Sequence, residues 1–212
     1  MIKIALADDH TVVREGFRMV LETQPDFQVI GEARDGLEAI RVVEQLRPDV
    51  LVVDLMMPGV NGLEVIRQVR KLVRVVVLTM HDQEAYVVEA LRNGALGYVL
   101  KDATTHELVQ AIRDVALGRC FLSEPFSARQ QEIFQQVQNN ESGDPYDSLT
   151  VREREILQLV GQGYSNQEAG EMLKISPRTV EVHRARLMRK LGIRSQTELI
   201  RIAIERGLVP KK

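Results

Sequence analysis

The sequence predicts two modules of different class: a doubly wound α/β module on a five-stranded parallel sheet, followed by a small all-α module. Three observations carry this. Over the first 120 residues, short runs rich in Val and Ile alternate five times with segments whose apolar residues recur every three to four positions. After Ser148 the strand pattern stops, and four helix starts follow. The charge is also split: residues 1–122 carry 14 Lys+Arg against 18 Asp+Glu, whereas 148–212 carry 13 Lys+Arg against 7 Glu. At roughly 150 residues per domain, a chain of 212 residues has room for two small domains.

The expected strands are Ile2–Ala7, Gln28–Gly31, Val50–Val53, Val75–Leu78 and Gly97–Leu100. Several are apolar throughout, as parallel strands covered on both faces must be. Between them, residues such as Leu37, Ile40, Val43 and Leu46 mark one helix face. Asp35, Asn61 and Thr104 each stand three residues before a Glu, the signature of a capped helix start. Strand and helix alternating in this way predict a doubly wound α/β sheet, and an order of 2-1-3-4-5 would make the first and third strands neighbours. These features assign residues 1–122 to the first domain.

Residues 123–147 differ in composition. They are rich in Gln and Asn, hold one Arg against five acids, and contain the turn cluster Ser142-Gly143-Asp144-Pro145. Phe126–Val137 predicts a short amphipathic helix with Ile133, Phe134 and Val137 on one face, so the segment reads as a partly helical linker. The third region, 148–212, opens with Thr150…Glu153 and continues with Ser165…Glu168, Ser176-Pro177 and Ser195…Glu198. Only Lys174-Ile175-Ser176 separates its second and third helices, and a turn that short forces a steep crossing, as in a helix-turn-helix.

Composition narrows the function classes. One cysteine, Cys120, excludes an intramolecular disulfide framework and a Cys-rich zinc site. No apolar run approaches the ~18 residues a membrane span needs, and acidic residues arrive too early for a signal peptide. A cytoplasmic protein with no membrane partner is expected. The basic third region suits a polyanion.

The chemistry gathers at strand ends. In a doubly wound sheet, ligands bind beyond the carboxyl ends of the strands. Asp8 and Asp9 follow the first strand and Asp54 the third, while Thr79 and Lys101 end the fourth and fifth. With the first and third strands adjacent, the three carboxylates converge, and such a cluster repels itself unless a cation sits in it. Mg²⁺, which prefers oxygen ligands, fits. A carboxylate can take a phosphoryl group as an acyl phosphate, with a lysine and a hydroxyl positioned on its oxygens. The nucleophile should be the acid set apart from the pair, Asp54.

Asp8-Asp9-His10, Asp54-Leu55-Met56-Met57-Pro58, Leu78-Thr79-Met80-His81 and Gly97-Tyr98-Val99-Leu100-Lys101-Asp102 resemble the receiver domain of bacterial two-component response regulators, a flavodoxin-like fold. The resemblance covers about residues 1–120 and implies that Asp54 is the phosphoacceptor. It implies that Asp9, Asp54 and the Met56 carbonyl ligate Mg²⁺ (or Mn²⁺), with Asp8 helping through a water, and that Lys101 pairs with the phosphoryl group. Thr79 and Tyr98 match a switch pair in which the hydroxyl moves to the phosphate and the ring follows inward. Met56 and His81 fall where the family tunes autodephosphorylation. The chain departs from the family at Leu72-Val73-Arg74, a connection several residues shorter than usual, on which the Asp54–Thr79 geometry depends.

In the third region the helix from Pro177 carries Val180, Leu187 and Leu191 on one face and Arg178, Glu181, Val182, Ala185 and Arg189 on the other. The second face has a small centre with Arg at its ends, so its backbone can enter a major groove while the Arg side chains reach phosphates. Leu149-Thr150-Val151-Arg152-Glu153-Arg154-Glu155, Ser165-Asn166-Gln167-Glu168 and Arg178-Thr179-Val180-Glu181-Val182-His183 resemble the LuxR-type helix-turn-helix over 148–212. The resemblance implies a recognition helix contacting double-stranded DNA through Arg178, Thr179, Glu181, Val182, Ala185, Arg186 and Arg189. Glu181 is suited to a cytosine amino group, and Val182 or Ala185 to a thymine methyl. His183 follows the inner face. Ala169-Gly170 replaces the family's bulkier pair, and a helical Gly costs about 1 kcal/mol relative to Ala.

The last helix, Thr197–Arg206, has more apolar residues than one face needs, and Leu199, Ile200, Ala203 and Ile204 are expected to pair with a second copy on pseudo-palindromic DNA. The whole chain is similar to response regulators of the NarL/FixJ type. This implies a transcription factor phosphorylated on Asp54 by a sensor histidine kinase, homodimeric when phosphorylated or on DNA, with no enzymatic activity beyond self-directed transfer and autodephosphorylation. Two other readings use the same residues: a DNA-binding regulator indifferent to phosphate, and a phosphatase with an aspartyl intermediate.

Overall fold

The computed structural model describes residues 1–58, 60–138, 145–173 and 175–209. They fall into two compact units, Met1–Val137 and Gln138–Lys212.

The first unit is a parallel sheet wound with helices. Its strands are β1 (Ile2–Ala7), β2 (Phe27–Ala33), β3 (Val50–Val53), β4 (Arg74–Thr79), β5 (Gly97–Leu100) and β6 (Phe121–Leu122), in the order β2-β1-β3-β4-β5-β6. The helices are α1 (Thr11–Glu22), α2 (Gly36–Leu46), α3 (Gly62–Val69), α4 (Glu84–Asn93) and α5 (Thr105–Ala116). Five of the strands match the expected ones within a few residues. The sixth corrects the expected five-stranded sheet: after α5 the chain returns to the edge, and Phe121 and Leu122 pair with Gly97 and Tyr98. Two residues are too few to show a period in sequence.

All four residues of β3 are buried, as a central strand covered on both faces requires. On one side of the sheet, Ile4, Leu6, Val52, Val76 and Leu78 pack with Leu108, Ile112 and Val115 of α5. Fully burying each large side chain contributes about 1.5–3 kcal/mol. The helix starts follow their capping residues: the side chains of Asp35, Asn61 and Thr104 accept from the backbone N–H three residues on. The short connection before β4 leaves the sheet in register. Val73 N–H still bonds Val69 O, and β4 pairs with β3 from Val50↔Arg74 through Val53↔Val77. Asp54 and Thr79 are therefore carried to the same edge.

Past β6, a turn at Ser127–Arg129 leads into α6 (Gln130–Gln138). Ile133 is fully buried, while Phe134 and Val137 are half-buried. The Asn139-Asn140 pair and Ser142-Gly143-Asp144 of the expected turn cluster lie outside the described residues.

The second unit holds α7 (Val151–Gly161), α8 (Asn166–Leu173), α9 (Pro177–Leu191) and α10 (Gln196–Glu205). Thr150 and Ser195 close reciprocal capping boxes with Glu153 and Glu198, and Ser165 makes the same exchange with Glu168. Ser176 caps α9 ahead of Pro177. Ile156, Leu157, Val160, Val180, Leu187, Leu199 and Ala203 are fully buried and form the core. In the turn between α8 and α9, of which Lys174 lies outside the described residues, Ile175 N–H bonds Gly170 O. A Cβ on Gly170 would stand 2.8 Å from the Ile175 carbonyl oxygen. The expected cost of this Gly relative to Ala is thus outweighed by the close approach it allows.

Candidate functional site

The carboxyl ends of β1, β3, β4 and β5 bring together residues that lie up to 93 positions apart in the chain. Asp8 (6% exposed) and Asp54 (5% exposed) are buried, and Lys101 Nζ lies 2.7 Å from Oδ2 of each. Burial pulls the Lys101 ammonium down, yet its hydrogen bonds to Asp54 and Asp8 outweigh that and hold its pKa above the ordinary value. Asp8 Oδ1 accepts from His10 N–H at 2.8 Å. Among the described residues, Asp54 Oδ1 has a long 3.4 Å approach from Met56 N–H. Thr79 Oγ1 is fully buried and, among the described residues, makes no hydrogen bond. A buried hydroxyl left unsatisfied costs about 1–3 kcal/mol.

Asp8, Asp9, His10 and Asp54 each offer a ligand atom, all within 4.8 Å of one another. Asp9 Oδ1 is covered and, among the described residues, makes no hydrogen bond, although His10 Nδ1 lies 2.8 Å away. Three carboxylates with one such oxygen suit a hard divalent cation.

Tyr98 is fully buried, with its ring inside the unit and its hydroxyl donating to His81 O at 2.7 Å. Burial raises its pKa well above the ordinary value, with the nearby Tyr86 and carboxylates adding to the effect. His81 stacks on Tyr86 at 4.4 Å between ring centroids, and burial lowers the imidazole's pKa against the pull of Asp54 and Asp82. The ring that the resemblance describes as following the hydroxyl inward is buried in this structure.

On α9, the sequence pattern sorts cleanly into two faces. Val180 and Leu187 are buried, Leu191 and His183 half-buried, and Arg178, Glu181, Val182, Ala185, Arg186 and Arg189 exposed. Thr179 is half-buried, and its hydroxyl lies 2.7 Å from Ser176 Oγ in the helix cap. Other cations of α9 serve the unit itself: Lys190 Nζ lies 2.6 Å from the buried Glu153, and Arg184 donates to Asn166 and Gln196. The exposed face thus keeps three Arg side chains around a small centre. In α10, Leu199 and Ala203 are fully buried in a helix that packs on α7. That corrects their expected role in pairing: the unit's own core takes their surface. Ile200 and Ile204 stay half-buried.

Residues 4–113 match the model of the response regulator receiver domain, and residues 147–203 match that of the bacterial regulatory proteins of the luxR family. The chain belongs to the response regulator family. The oxygen regulatory protein NreC of Staphylococcus carnosus (strain TM300) is 40% identical over 217 residues, covering 98% of this chain and 99% of NreC. Among solved structures, the response regulator ChrA of a heme-sensing two-component system is 35% identical, with a TM-score of 0.51 and 98% of both chains covered. The two-component response regulator RcsB in its DNA complex is 26% identical, with a TM-score of 0.57, covering 96% of this chain and 98% of RcsB.

This response regulator therefore joins a receiver domain to a LuxR-type DNA-binding domain. Two supports of the receiver site escape motif reading. A Cβ on Gly62 would stand 2.2 Å from the Asp54 carbonyl oxygen, so only glycine lets α3 start against that backbone. Arg14 Nη1 donates to Asp8 O at 2.7 Å while its Nε pairs with Glu32, fixing the turn that carries Asp8 and Asp9. The Gly62 signal was present as a glycine directly after the Asn61 cap; the Arg14 contact has no local signature. Among the described residues, no helix is long and apolar enough to cross a membrane.

Proposed function

We propose that this response regulator is a cytoplasmic transcription factor switched by phosphorylation of Asp54, with a sensor histidine kinase as the donor. The observation that carries the reading is the buried Asp54 carboxylate bonded to Lys101 beside the buried, unpartnered Thr79 hydroxyl. An Asp54 oxygen forms the new P–O bond as the P–N bond to the kinase imidazole breaks, the electron pair leaving with that nitrogen. Lys101, now shared by two carboxylates, is at hand to balance the added negative charge, and Thr79 gains an acceptor for its hydroxyl. Asp8, Asp9 and Asp54, with the Met56 carbonyl, would hold Mg²⁺ or Mn²⁺. When bound, the ion neutralises charge on the phosphoryl oxygens. Met56 and His81 border the site and tune how readily water reaches the acyl phosphate.

The output is double-stranded DNA. Arg178, Arg186 and Arg189 supply phosphate contacts, with Thr179 beside them at the helix start, and Glu181, Val182 and Ala185 face the bases. Two copies on a two-fold symmetric site would meet through the half-buried Ile200 and Ile204 of α10. RcsB, for comparison, has been solved as dimers bound to DNA.

The test is a DNA-binding titration of wild type and Asp54→Asn, with and without acetyl phosphate. Tighter binding on phosphorylation in wild type alone is the expected result. The buried, inward Tyr98 favours a second reading, in which the receiver is already set and DNA binding ignores phosphate. Equal affinity in all four conditions would establish that reading and overturn the first.

A further inference from the structure

We propose that residues 121–138, which lie between the receiver match and the luxR-family match, form an intramolecular strap. The strap holds the Thr79–Tyr98 switch in the arrangement that phosphorylation also favours, with Phe126 as its positioning residue. The inference rests on Asp54 being the phosphoacceptor.

The strap grips the receiver in two places. At its start it extends the sheet: β6 pairs with β5, Ser123 N–H bonds Tyr98 O at 3.0 Å, and Leu100 N–H donates to the buried Ser123 Oγ at 3.2 Å. The buried Phe126 ring then meets the Tyr98 ring edge-on, 5.6 Å between centroids at 87°. At its far end, α6 is tied to α4. Arg129 lies 2.6 Å from Glu84, Gln136 Nε2 donates to the same Glu84 at 2.6 Å, and Arg92 donates to Gln136 O at 2.7 Å.

Both grips close on the segment that leaves the acidic site. Tyr98, held by Phe126, donates to His81 O, and the His81 ring stacks on Tyr86 of α4. Thr79 stands two residues before His81, its hydroxyl buried without a partner among the described residues. A phosphoryl oxygen on Asp54 would satisfy that hydroxyl with Tyr98 left where it is. Strap and phosphoryl group thus stabilise one arrangement, and by reciprocity each strengthens the other.

The test uses the full-length chain and beryllofluoride with Mg²⁺ as the phosphoryl mimic. Hydrogen exchange of peptides spanning 127–138 should slow when wild type takes up the mimic, and Asp54→Asn should show no change. By the same linkage, Phe126→Ala should raise the half-saturating beryllofluoride concentration about fivefold or more. Should Phe126→Ala fail to fold, the double variant Arg92→Ala/Arg129→Ala, which cuts the α4 ties at the surface, must raise it in the same direction. Mimic bound at Asp54 with unchanged or faster exchange in 127–138, or an unmoved half-saturation in the variants, overturns the strap. Equal uptake by wild type and Asp54→Asn is a different failure: it removes the Asp54 reading, and the coupling with it.

Discussion

The acidic site and the α9 face are built in opposite ways. The first gathers Asp8, Asp54, Thr79 and Lys101 from four strand ends, and its parts have no meaning until the sheet closes. The second is a single helix whose cap, buried face and exposed face follow one another in the chain from Ser176 to Leu191. A site assembled by topology works as a unit, so losing one member removes the function. A site laid along a helix degrades contact by contact.

The difference is sharpest for Asp54→Asn. Incubated with acetyl phosphate and weighed by intact-mass spectrometry, this variant should show no phosphorylated species, while wild type gains one phosphoryl group. Full phosphorylation of the variant would mean that another acid serves, and that the site is not a unit.

Leu187→Ala probes the other end. Leu187 is fully buried in the second unit, and truncating such a leucine costs about 3 kcal/mol, a large part of a small domain's stability. DNA binding should fall steeply, whereas acetyl phosphate should still modify Asp54 at the wild-type rate. A parallel loss of phosphorylation would show that the two units do not fold separately.

Arg178→Ala and Arg189→Ala ask whether the helix face is graded. Each exposed Arg is expected to reach a phosphate, so each variant should weaken binding to all sequences and reduce the salt slope by about 1. A change in base preference with an unchanged slope would move these residues from phosphates to bases.

The same contrast explains what was legible beforehand. Five strands and seven capped helix starts could be read because each depends on local pattern: an apolar run, a cap three residues before a Glu, or a Ser just ahead of a Pro. The acidic site could be read because its residues end those strands. The sixth strand and the seat of α6 could not. Phe121–Leu122 is too short to have a period, and the partners of α6 on α4 lie 44 and 52 residues back in sequence. In α10, the helical period of Leu199, Ile200, Ala203 and Ile204 is plain, but not which apolar residues α7 would cover. Only tertiary packing tells Leu199 and Ala203 from Ile200 and Ile204.

Alkaline pH should act on the receiver through its buried tyrosines. Burial pushes Tyr86 up to about 12 and Tyr98 well above 10.0, while both ionise near 10 once unfolded. A folded-state pKa raised above the unfolded value gives stability that is whole below pH 10 and lost as pH climbs toward 12. The receiver's melting temperature should therefore fall by on the order of 5 °C across that window. Tyr86→Phe removes one titrating group and should flatten the decline. A profile unchanged by Tyr86→Phe would place the titrating groups elsewhere.

The smallest expected effect compares one device used in both units. Thr104 and Thr150 close the same capping box, at the starts of α5 and α7. Replacing a capping Thr by Ala costs about 1 kcal/mol, enough to shift a unit of this size by several degrees. Thr104→Ala should lower only the receiver transition, followed by hydrogen exchange in α5. Thr150→Ala should lower only the second, followed in α7. Two equal, separate shifts would mean that capping contributes alike to both units, and that their differing response to mutation comes from how each site is assembled. If either variant moved both transitions, the units would share one cooperative equilibrium, and the contrast between an all-or-none site and a graded one would need a different cause.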